Sequence, residues 1–165
     1  MLIPIIVSSV FVLAVVILCL VKPNAGRLFL GLFFLIMAIG VNGYFTVANP
    51  HSYVEYASEA LIPWYRNVAL TIVELNPVLF GWLLILFEVA MGLLLLHKHK
   101  SVKIGLIGTM IFLVGIAPLS FTQISWLGLI FGEAYLLTKE FTDTFPQVIQ
   151  TRLRLSVWSG KRMNF

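Results

Sequence analysis

The sequence predicts an all-α fold, a polytopic helical bundle with five transmembrane helices. Three observations lead there. Hydrophobic residues fill 60% of the 165 positions and charged residues 11%, against about 45–50% and about 25% in soluble globular chains. The mean hydropathy is +1.00. The apolar residues are also gathered into runs that approach the roughly 20 residues a bilayer-spanning helix needs. Such a chain has too little polar surface to cover a water-facing fold, which excludes a soluble enzyme and a disordered chain. A single cysteine, Cys19, leaves no intrachain disulfide and no cysteine-rich metal site.

Leu2 to Val21 is the first run and carries no charge. Positive charge comes after this run instead of preceding it, the reverse of a secretory signal. It reads as a retained anchor. Val16-Ile17-Leu18-Cys19 lacks the small residue that a lipoprotein cleavage site places before its cysteine. Cys19 reads as a small apolar filler, with S-acylation as the alternative.

The second span is Arg27 to Ala48, interrupted by Asn42. The third is Pro77 to Leu96 and carries Glu88. The fourth runs from Val102 to about Leu119, where Pro118 ends or kinks it. The fifth, Thr122 to Thr138, is short and contains Glu133.

Charge sidedness supports the fifth span. With five crossings, ten of the eleven Lys and Arg residues fall on one side, and only Arg66 falls on the other. The positive-inside bias makes that side cytoplasmic. The chain is therefore expected in the cytoplasmic (inner) membrane, N-terminus outside and C-terminus inside. Four crossings would leave the basic residues of the tail outside.

Residues 49–76 form an external amphipathic loop. Val54, Ala57 and Leu61 recur at helical spacing, Pro63 breaks the pattern, and Trp64, Val68, Ile72 and Leu75 resume it. Two short helices at the membrane surface fit, with Tyr53, Tyr56, Trp64 and Tyr65 suited to the interface. They act either as an interfacial anchor or as a lid over a cavity that opens outward. Residues 139–165 form a basic cytoplasmic tail with amphipathic character, lying on an anionic leaflet or docking on a partner.

Chemistry centres on two intramembrane carboxylates. Glu88 lies 11 residues from Pro77 and Glu133 lies 11 from Thr122, so each is about 16 Å deep at 1.5 Å per residue. Charged acids at that depth cost a few kcal/mol and face the bundle interior. At least one is expected to be protonated at pH 7, and the two are placed to face each other or one cavity. They hydrogen-bond to neighbouring helices, bind the polar group of a quinone-like ligand, or pass protons or cations. Asn42 and Thr109 are the candidate polar partners. Gly81, Glu88 and Gly92 share one face of the third span, Gly105, Gly108 and Gly115 stripe the fourth, and Gly128 and Gly132 make a GxxxG pair in the fifth; small residues let helices approach closely.

His51, His97 and His99 lie outside the apolar cores, which excludes a bis-histidine haem inside the bundle. A metal site at His97 and His99 is disfavoured by the flanking lysines. No nucleotide-binding or hydrolase motif is present, and no nucleic-acid partner is expected.

Two stretches carry a family resemblance. Gly26-Arg27-Leu28-Phe29-Leu30-Gly31-Leu32-Phe33-Phe34 places an Arg at the inner end of a Gly-containing apolar span, and Phe87-Glu88-Val89-Ala90-Met91-Gly92-Leu93-Leu94-Leu95 sets a small residue and a leucine run after an acid. From about Gly26 to Thr138 the chain resembles the DoxX-like membrane proteins. The resemblance implies a four-helix core, to which this chain adds an N-terminal helix, and a link to quinone or other electron-transfer chemistry. The expected role is a non-catalytic subunit of a larger membrane assembly, plausibly a respiratory or other electron-transfer complex, with membrane lipids and other membrane subunits as partners. It needs no catalytic residues, metal or cofactor of its own. The alternatives are a quinone- or lipid-binding protein acting through Glu88, Glu133 and Asn42, and a proton or small-solute carrier.

Overall fold

A computed structural model describes residues 2–150. Those residues are helical throughout their ordered elements, and four helices are long and apolar enough to cross a membrane. Arg152, Arg154, Lys161 and Arg162 lie outside the described residues, as does most of the expected amphipathic tail.

Helix α1 spans Leu2–Val21 and ends at Lys22. Pro23 opens α2, Pro23–Ile36; proline suits the first helical turn, where its missing N–H costs nothing. The helix continues through a π-helical turn, Met37–Asn42, into α3, Gly43–Ala48. This second apolar helix therefore starts four residues before the expected Arg27. After a turn come α4, Ser52–Ser58, and α5, Pro63–Leu75, the two short helices expected on either side of Pro63. Asn76 caps α6, Pro77–Leu96, by accepting from Leu79 N at 3.0 Å. Helix α7, Lys100–Ile116, passes into a 3₁₀ turn at Ala117–Leu119.

The fifth apolar run differs from the single helix expected over 122–138. It forms two helices, α8 (Phe121–Trp126) and α9 (Leu129–Leu137). Leu127 N bonds to Ile124 O at 3.1 Å and Gly128 N to Ser125 O at 3.2 Å, so the junction is wound tighter than an α-helix. Ser125 causes part of this by turning its hydroxyl back onto Thr122 O at 2.6 Å, and Gly128 lowers the helical preference.

Glycines set the packing and reveal the direction of each helix. A Cβ on Gly31 would sit 3.0 Å from Gly92 O, and one on Gly92 would sit 2.9 Å from Gly31 O. Helices α2 and α6 thus cross backbone to backbone. Gly81 lies against Thr46, so this pair is antiparallel. Gly105 faces Leu94 and Leu95 while Gly108 faces Met91, which makes α6 and α7 antiparallel too. Ser8 meets Ser125 at 2.6 Å, Val12 meets Gly128, and Cys19 meets Gly132. Helix α1 and the α8–α9 segment therefore run in the same direction. Cys19 is buried between Gly26 and Gly132, which is the filler role expected of it.

Arg27 departs most from its expected place. Its position in the sequence suggests a flanking charge, yet its side chain is fully buried. Its guanidinium donates to the carbonyls of Leu95 (3.3 Å), His97 and Asp143 and to Asn24 Oδ1 (2.7 Å), and lies 4.7 Å above the Phe141 ring. A helix C-terminus leaves carbonyls unsatisfied and partially negative. Arg27 satisfies those at the end of α6 and ties the segment after α9 to them.

Candidate functional site

The site begins with the π turn. Gly43 N–H reaches back to Ala38 O, and a wide turn of this kind takes up one extra residue and rotates the helix beyond it. Asn42, its last residue, faces α6. Its Nδ2 donates to Glu88 Oε2 at 2.7 Å, with both side chains buried. The polar cluster extends toward α4. Tyr53 donates to Asn42 O at 3.1 Å and reaches Asn42 Oδ1 at 3.3 Å. Thr46 Oγ1 lies 3.0 Å from the Tyr53 hydroxyl and donates to Asn42 O at 2.7 Å. Gly81 makes room for this arrangement, because a Cβ there would overlap Thr46 Oγ1 and lie 2.8 Å from Tyr53 Cε2. Burial pushes the Tyr53 phenol above its usual value of 10.0; the Thr46 bond lowers it and the Glu88 charge raises it.

Above this cluster lies a cavity of about 610 Å³. Glu88 and Asn42 line its polar side. Its walls are mainly apolar and include two aromatic groups, Phe34, Phe112 and Trp126 in one and Phe45, Tyr53 and Phe80 in the other. Helices α4 and α5 form its roof through Ala57, Ala69 and Val73. The roof is tied down at its far edge, where Leu61 N bonds to Pro118 O at 2.9 Å and the Tyr65 hydroxyl donates to Gly115 O. Burial pushes the Tyr65 phenol up as well.

The expectation that Glu88 and Glu133 share one cavity does not hold. Glu133 is fully buried, does not line this cavity, and packs beside Cys19 of α1 and Thr109 of α7. Neither of its carboxyl oxygens meets hydrogen-bond geometry with a partner among the described residues, and the Thr109 hydroxyl is the polar group beside them. Thr109 uses its hydroxyl on the carbonyls of Gly105 (3.1 Å) and Leu106 (2.9 Å). Residue counting sets the two acids at one depth but cannot set the directions in which they point.

Sequence reasoning misses Tyr53 and Thr46 as members of the polar cluster. Composition makes Tyr53 an interfacial ring. Its spacing of 11 residues from Asn42 gives no helical relation, because the chain reverses at Asn49–His51. Thr46 sits four residues after Asn42 on the same helical face, so its signal is present in the sequence.

A scan against protein-family models, a search of curated proteins and a search of solved structures return no match to this chain.

Proposed function

We propose that this chain is a five-span protein of the cytoplasmic membrane that holds one lipid-soluble ligand, a quinone or another amphipathic lipid, in the cavity beside Glu88. One observation carries the reading. A buried carboxyl oriented by Asn42 lines a mainly apolar cavity that holds several aromatic rings, with Thr122 and Gln123 as further polar lining. Binding sites for small apolar molecules have this composition, with a few placed polar groups that orient the ligand. The DoxX-like resemblance belongs to the same reading.

The five-span count draws support from the shared direction of α1 and α8–α9, since spans one and five of such a bundle must cross the same way. The N-out, C-in orientation rests on the placement of ten of the eleven Lys and Arg residues. The accessory-subunit role asks for an apolar face covered by another protein. The exposed side chains of α6 and α7, such as Leu86, Leu93, Ile107 and Ile111, are equally what lipid requires, so the cavity is the more specific feature.

The test is purification in mild detergent from the native membrane, then organic extraction and mass spectrometry. A lipid-soluble molecule should accompany the wild type near one per chain and be lost from Ala57→Trp, which fills the cavity from its roof. Recovery of the chain with stoichiometric haem or flavin proteins, and equal extracts from wild type and Ala57→Trp, would overturn the binding role and support the accessory-subunit one.

A further inference from the structure

The cavity's charge balance narrows the class of ligand. Glu88 Oε2 is engaged by Asn42, while Oε1 makes no bond among the described residues and its side chain lines the cavity. No Lys, Arg or His is among the residues that line it. Arg66, the one Lys or Arg on the roof helices, donates both of its bonds to Ala60 O and stays off the lining. Three of the lining rings stand in nearly perpendicular pairs. Tyr53 and Phe80 are 5.5 Å apart at 72°, and Phe45 and Tyr53 are 6.2 Å apart at 78°. Aromatic faces attract cations and hold organic ammonium groups in cages. An ammonium that reaches the free oxygen makes a charge-assisted hydrogen bond with the carboxylate, and the low dielectric of the surroundings strengthens that pair.

We infer that the cavity selects a lipophilic amine, with the ammonium group at Glu88 Oε1 and the apolar body among the aromatic rings that line the cavity, Tyr53, Phe80, Phe112 and Trp126 among them. The inference rests on the binding role proposed above and goes further by assigning a positive charge to the ligand, which selects an amphipathic amine over a neutral quinone.

The experiment uses the full chain in nanodiscs near neutral pH. The probes are 4-phenylbutyl-dimethylamine and its neutral isostere, in which isopropyl replaces dimethylamino. Empty nanodiscs correct for partitioning into lipid. The amine should bind at least tenfold more tightly than the isostere. Glu88→Gln should bring that ratio close to one. Phe80→Leu should reduce the ratio several-fold, a second readout that leaves the carboxyl in place. Equal affinities, or tighter binding of the isostere, would overturn the amine assignment and leave a neutral ligand in the same cavity. A preference that persists in Glu88→Gln would also overturn it. If neither probe binds above empty nanodiscs, both this inference and the binding role fail.

Discussion

Asn42 Nδ2 donates to Glu88 Oε2 at 2.7 Å, and this is the only hydrogen bond to Glu88's carboxyl among the described residues. Removing the donor strands a buried acid. Asn42→Leu should therefore lower unfolding free energy by about 1–3 kcal/mol, the usual cost of an unsatisfied buried polar group. Glu88→Gln keeps an oxygen for Asn42 and should cost less. In the double variant the effects should not add, with a coupling of about 0.5–3 kcal/mol. Equilibrium unfolding in detergent measures all three. Simple additivity would mean that the bond contributes nothing.

Gly81 tests whether the Thr46–Tyr53 contact needs its space. Ala at 81 would push into Thr46 Oγ1 and Tyr53 Cε2, and such overpacking costs about 1–3 kcal/mol. Gly115 is the control, since a Cβ there meets nothing within 4 Å. Gly81→Ala should lower Tm and Gly115→Ala should not. Equal Tm values for the two variants would show that the α4 roof does not seat on α6 as described.

Much of the fold is legible in the sequence because hydropathy runs and breakers are local signals. Pro63 and Pro77 each open a helix where expected, and the 77–96 helix has the expected bounds. Contacts at a distance are harder to read. Counting residues puts Asn42 about 9 Å and Glu88 about 16 Å from one bundle end, so the sequence offers Asn42 as a candidate partner without fixing the contact, which the structure forms. Side chains lean toward the N-terminus of their own helix. Because α2–α3 and α6 are antiparallel, Asn42 and Glu88 lean toward each other, and the π turn supplies the rotation. No periodicity in the sequence announces that turn. Arg27 misleads for a related reason. A basic residue after a short turn looks like a solvent charge, and only the packed bundle reveals the α6 carbonyls it caps.

The roof should loosen at high pH. Burial holds the Tyr53 and Tyr65 phenols above the ordinary 10.0, so the folded state keeps those protons longer than the unfolded chain does. The stability they contribute is fully present below pH 10 and is lost as pH rises past that value. Phenolate absorbance should show a component that titrates above 10 and diminishes in Tyr53→Phe. Unfolding free energy should fall over the same range, and less steeply in the variant. Titration of every tyrosine at the ordinary value would contradict the buried placement of Tyr53 and the half-buried placement of Tyr65.

Glu133 and Glu88 should respond in opposite directions to the same substitution. Both are buried acids on apolar helices. Glu88 has Asn42, whereas Glu133 has no partner for either oxygen among the described residues. Glu133→Met replaces an unsatisfied group with an apolar chain of similar length, and exchanges of that kind are neutral or stabilising. Glu88→Met leaves the Asn42 amide without its acceptor and should cost about 1–3 kcal/mol. Tm in detergent should therefore hold or rise for Glu133→Met and fall for Glu88→Met. A fall for Glu133→Met as large as that for Glu88→Met would mean that Glu133 has a bonding partner of its own, such as a buried water held with Thr109.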